Sequence, residues 1–105
     1  MKKEMKVVVK KPGKAPEVRM VTDDLHEMQR LVGGWIEIVR PFEDMHTLLV
    51  CNEEGVYRDG RPNVQIGNTV IFGPFFVCSE ETGEDGYEFA GLTDEQADYF
   101  MNILG

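Results

Sequence analysis

From Met5 the chain alternates with period two: Met5, Val7 and Val9 fall on one side of an extended segment and Lys6, Val8 and Lys10 on the other, until Pro12-Gly13 closes it. This predicts a strand over Met5–Lys11, with Glu17–Val21 returning as its hairpin partner and carrying Val18 and Met20 on one side. At Asp24 the period changes. Leu25, Met28, Leu31 and Val32 recur at helical spacing, Asp24 and Glu27 are placed as a capping box, and Gly33-Gly34 ends the pattern, which predicts a helix over about residues 24–33.

Trp35–Arg40 returns to β-type alternation, with Ile36 and Ile38 on one side, and Pro41 closes it. Thr47–Asn52 is a second such run, and its unbroken Leu48-Leu49-Val50-Cys51 predicts a central strand buried on both faces. Asn52-Glu53-Glu54-Gly55 and Asp59-Gly60 read as turns enclosing a brief strand, Val56–Arg58. Residues 59–68 have weak periodicity and are expected to form an exposed loop. Thr69–Phe72 and Phe75–Ser79 read as strand material broken at Gly73-Pro74 by a bulge, bend or edge break; Glu80–Gly86 is expected to turn the chain and Tyr87–Ala90 to pair back.

The closing segment is the clearest. Thr93 and Gln96 form a capping box, Leu92 is placed to staple onto Ala97, and Ala97, Phe100, Met101 and Leu104 make an apolar stripe, so a helix over about residues 93–104 is expected to dock on the sheet. Together the elements predict one α+β domain, a mixed and mostly antiparallel sheet with two helices, and 105 residues leave room for one core.

Charge adds an asymmetry. Residues 1–19 carry seven basic side chains against two acidic ones, the remainder four against seventeen, and nothing basic follows Arg61. An acidic body argues against direct binding of a nucleic-acid backbone, which needs clustered Lys and Arg. It suits solubility or an acidic surface offered to a basic partner, and Glu80, Glu81, Glu84 and Asp85 are the residues expected to present such a surface. No apolar run is long enough to span a membrane and no export signal is read, so a cytoplasmic location and two unpaired thiols are expected.

Candidate chemistry is sparse. Cys51 and Cys78 lie in strand-like apolar runs, where a thiol packs as a small hydrophobe, and neither they nor His26 and His46 have metal-ligand spacing. Gly33-Gly34 follows a helix, the reverse of the order in a phosphate loop. No enzyme activity, cofactor or metal is therefore expected. In so acidic a body the late arginines stand out: Arg30 is expected to form local helix-surface ion pairs. Arg40, Arg58 and Arg61, with Asn63, are the candidates for holding an anionic or nucleotide-like ligand, with surface salt bridges from the arginines to nearby Glu and Asp as the alternative.

The ordered set LVGGWIEIV, LLVCNEEG, FGPFFV and GLTDEQADYF resembles a family of small phage and mobile-element proteins of gut-type Firmicutes, domain of unknown function 3846. Similar proteins have a longer polar loop after the Cys-Asn-Glu-Glu-Gly turn, where this chain has the compact Gly60-Arg61-Pro62-Asn63. The resemblance implies a mobile-element accessory protein. With the charge pattern, it leads to an expected non-enzymatic protein that binds a basic host protein, in counter-defence through an acidic face imitating nucleic acid; the alternative is a protein that sequesters a small anionic ligand. Surface-prone Trp35, Phe42 and Tyr99 make pairing between copies compatible with so small a chain.

Overall fold

The alternation that opens the sequence becomes the hairpin β1 (Glu4–Lys10) and β2 (Glu17–Thr22), paired from Glu4 opposite Thr22 to Val9 opposite Glu17. In this computed structural model, which describes residues 2–42, 46–55 and 62–105, the remaining elements are α1 (Leu25–Val32), β3 (Ile36–Val39), β4 (Thr47–Asn52), β5 (Pro62–Ile66), β6 (Thr69–Phe72), β7 (Phe75–Gly83), β8 (Gly86–Ala90) and α2 (Asp94–Ile103). The main sheet has six antiparallel strands in the order β2-β1-β7-β4-β3, with β8 also on β7; β5 and β6 form a separate two-stranded sheet. The α+β class expected from the pattern is the class observed.

β4 and the first half of β7 are buried on both faces, as the unbroken apolar run of β4 requires. One face gathers Met5, Val7, Val9, Leu48, Val50, Phe76 and Cys78 under Met28 and Val32 of α1. The other gathers Val8, Leu49, Cys51, Phe75 and Val77 under Ala97, Phe100 and Leu104 of α2, with Ile71 of β6 and the half-buried Val64 and Ile66 of β5 beside them.

Local chemistry sets the ends. Asp24 caps α1 by accepting from the His26 N–H at 3.3 Å, while Glu27, expected to complete a capping box, instead pairs with Arg30 at 3.5 Å. Gly33 ends the helix at φ 85°, a left-handed conformation that costs glycine nothing. At α2 both bonds of the Thr93–Gln96 capping box are made, at 3.1 and 2.8 Å. Gly91 is needed for a different reason: a Cβ there would lie 2.9 Å from the Lys6 nitrogen, where the chain passes against β1 on its way to α2.

Four expectations need correction or placing. Residues 62–66, inside the stretch expected as a loop, form β5, because Val64 and Ile66 find apolar cover against the main sheet. The acidic segment turns only at Glu84-Asp85, since β7 runs on to Gly83 with β8 paired beside it from Ser79. Gly73-Pro74 marks where the chain leaves one sheet for the other. The brief strand expected over Val56–Arg58 lies outside the described residues.

Candidate interaction site

Register places side chains on faces. Phe89 pairs with Glu80 and Tyr87 with Thr82, so the even positions of β7 and the odd positions of β8 look out on the α1 side of the sheet. Beyond the reach of α1 no described residue covers this side. A depression of about 280 Å³ lies there, floored by Leu48, Phe89 and Ile38, walled by Arg40 and Glu80, and edged by Asp23, Tyr87 and Glu88. Tyr87 is 72% exposed and Ile38 44%, large apolar surface for positions on a sheet face.

The two expected residue sets meet here, in the surface ion pairing that is the alternative reading of the late arginines. Arg40, a candidate ligand residue, donates from Nη2 to Oε2 of Glu80, a candidate partner residue, at 2.6 Å, and the Glu80 side chain is only 12% exposed. Arg30 makes the local ion pair expected of it. Glu81 accepts from Lys3 Nζ at 3.0 Å, and that bond raises the Lys3 pKa above its usual value. Glu84 and Asp85 form the tip of the β7–β8 hairpin, and neither they nor Glu88 have an ion-pair partner among the described residues. Sequence reasoning missed Tyr87 and Glu88. The signal was the alternation of Tyr87 with Phe89 against the acidic odd-even pattern of β7.

Asn63 does structural duty. Its Nδ2 donates to the carbonyls of Lys10 at 2.9 Å and Gly73 at 2.8 Å, and its Oδ1 accepts from Lys10 Nζ at 3.1 Å, which ties β5 to the end of β1. The amide is thereby used on both sides, and it satisfies an ammonium that is itself almost buried. Arg58 and Arg61 lie outside the described residues.

The family-like motifs also resolve into structure. Asn52 donates to the Val32 carbonyl at 3.2 Å, capping the end of α1, and accepts from the Glu54 N–H at 2.8 Å. Gly55 admits the Phe72 carbonyl, which would lie 2.6 Å from a Cβ. Cys51 and Cys78 are buried, and burial pushes their thiols up to about 11 and about 12, so neither is a ready thiolate at neutral pH. Among the described residues no group of three or more His, Cys, Asp or Glu side chains is placed to hold a metal ion, and no helix is long and apolar enough to cross a membrane. No curated protein and no solved structure matches the chain. The model of the family named domain of unknown function (DUF3846) matches residues 5–105, nearly the whole chain with the motifs just placed, and the protein belongs to that family.

Proposed function

We propose that this protein works by binding rather than catalysis, and that the β7–β8 hairpin with the open strip of sheet beside it docks a protein with a basic surface. The observation that carries the reading is one juxtaposition: Tyr87, 72% exposed, stands beside an apolar-floored depression of about 280 Å³ and two residues from the unpaired Glu84-Asp85 tip. An aromatic next to an apolar hollow supplies an anchor of the kind that dominates binding energy, and the surrounding acids steer a basic partner and discourage an acidic one. Against a nucleic-acid enzyme the same acids would stand where phosphates do. That fits a phage or mobile-element accessory protein acting on a host protein in the cytoplasm.

The competing expectation, a small anionic ligand held by Arg40, Arg58, Arg61 and Asn63, draws less support. Arg40 is engaged by Glu80 and the Asn63 amide by two backbone carbonyls and a lysine. The test is affinity capture from the bacterial host, followed by titration of the purified basic partner at low and high salt. Binding is expected to weaken with salt and to fall about tenfold or more for Tyr87→Ala, with a further loss for the combined E84Q, D85N and E88Q changes. Affinity indifferent to salt and to all four substitutions overturns the reading.

A further inference from the structure

The outer edge of β2 is open, since β2 is the terminal strand of the sheet and no described residue pairs beyond it. Two hydrogen bonds fix which backbone groups that edge presents. The Asp23 N–H donates to the Lys3 carbonyl at 2.8 Å, continuing the β1–β2 register, and on the other side of β1 the Leu92 N–H donates to the Lys6 carbonyl at 2.8 Å. In an antiparallel ladder alternate residues address alternate neighbours. Glu17, Arg19 and Val21 therefore bond to β1, and Val18 and Met20 turn both N–H and C=O outward.

The side chains are as suggestive as the backbone. Val18 and Met20, opposite Val8 and Lys6, are 46% and 57% exposed. Glu17 and Arg19 stand on the other face with Arg19 Nε 3.1 Å from Glu17 Oε1. Open edges are usually guarded by lysines or other charges, prolines, bulges or extreme shortness, and here Pro16 lies just outside the strand. This one has six residues, an unbroken register, and one charge of each sign on a single face.

We propose that β2 pairs antiparallel with β2 of a second copy of this chain, about a two-fold axis through Val18. In that register each Val18 exchanges both backbone hydrogen bonds with the second copy's Val18, each Met20 N–H faces the Pro16 carbonyl, and each Glu17 lies opposite Arg19 across the seam. The four charged side chains form a square in which every neighbour has the opposite sign, and the two six-stranded sheets run together as one. The exposed Val18 side chains meet across the axis on the opposite face. The proposal is independent of the docking reading: β7 and β8 lie away from this edge, so the dimer leaves both hairpins free and is bivalent toward any partner.

Sedimentation equilibrium at physiological ionic strength, where the net charge of -8 is screened, tests it. The wild type is expected to dimerise. Glu17→Arg alone and Arg19→Glu alone place like charges opposite one another and are each expected to weaken dimerisation about tenfold or more. The two variants mixed are expected to form a one-to-one heterodimer, because each position then again faces its opposite, and the double charge swap E17R/R19E is expected to dimerise as the wild type does. Val18→Pro removes an outward N–H without touching the β1–β2 ladder, so it is expected to give a folded monomer with an unchanged circular-dichroism spectrum. A wild type that stays monomeric into the millimolar range overturns the proposal, as does a dimer that survives all three single variants or variants that show no heterodimer on mixing.

Discussion

The two faces of the central sheet are finished differently. One is roofed over its centre by α2 and the β5–β6 hairpin, which hide Phe75, Phe100 and Leu104 and leave only Val18 and Met20 of the edge strand β2 exposed among its large apolar side chains in the described strands of the main sheet. Among the described residues, the other is roofed by α1 alone. Eight residues of helix span about 12 Å, whereas the nine residues of β7 run about 30 Å. A strip at the β8 end is therefore left with Ile38 and Tyr87 in water. Where the roof is complete, a large side chain contributes to folding; where it stops short, the same kind of side chain is available to a partner. The difference separates stability residues from binding residues within one sheet.

The sharpest way to break that comparison is to truncate one aromatic on each side. Phe100 is fully buried and stacks edge-on with Phe42 at 4.8 Å and Tyr99 at 5.2 Å. Phe100→Ala is expected to cost about 3–5 kcal/mol, read from urea unfolding. Tyr87→Ala should shift stability by no more than about 0.5 kcal/mol in the same assay. If the Tyr87 variant is destabilised comparably, the strip is core and the comparison fails. Asn63→Ala comes next: it removes three hydrogen bonds and leaves the nearly buried Lys10 ammonium short of an acceptor, so a loss of about 1–3 kcal/mol is expected. Hydrogen exchange should rise first in residues 62–72. Protection unchanged there would mean that Val64, Ile66 and Ile71 hold the hairpin without the brace.

The sequence made the completed parts legible because each carried two agreeing signals. The stripe of Ala97, Phe100, Met101 and Leu104 came with the Thr93–Gln96 box, and α2 forms where both point. Leu48-Leu49-Val50-Cys51 announced a central strand because nothing polar interrupts it, and every one of those residues is buried. β5 was not legible. Pro62-Asn63 reads as loop chemistry, and the strand exists through long-range partners, Lys10 and Gly73, that no local window contains. The open strip was half legible: Glu84 and Asp85 stood out as charge, but Tyr87 became a candidate only once register set it beside Leu48 and Ile38. That Arg40 and Glu80, placed in different candidate sets, bond to each other follows from β3 and β7 flanking β4, a strand order the sequence does not reveal.

The smallest effect uses the two thiols, one under each face, as reporters. Cys78 lies in the α1-covered cluster and Cys51 in the α2-covered one. Burial raises their pKa from 9.0 to about 12 and about 11 respectively. A raised folded pKa means that the stability is fully present below the unfolded value and is lost as pH rises through the folded one. Loss is thus expected to begin near pH 9 and continue toward 11 and 12 as the unfolded chain, but not the native one, releases its thiol protons. Near pH 10 it should amount to about 1 kcal/mol for each thiol, and Cys51→Ala and Cys78→Ala should each flatten their share of the slope. Reaction with a thiol reagent at neutral pH sharpens the point. Cys51 is 5% exposed and borders a crevice of about 110 Å³ between β4 and β6, whereas Cys78 is fully enclosed. Cys51 should therefore react first, and Cys78 only at the rate of global unfolding. If Cys78 reacts as fast as Cys51, the short roof of α1 opens well below the global unfolding free energy, and the half-covered face is weaker across its whole width than its static packing implies.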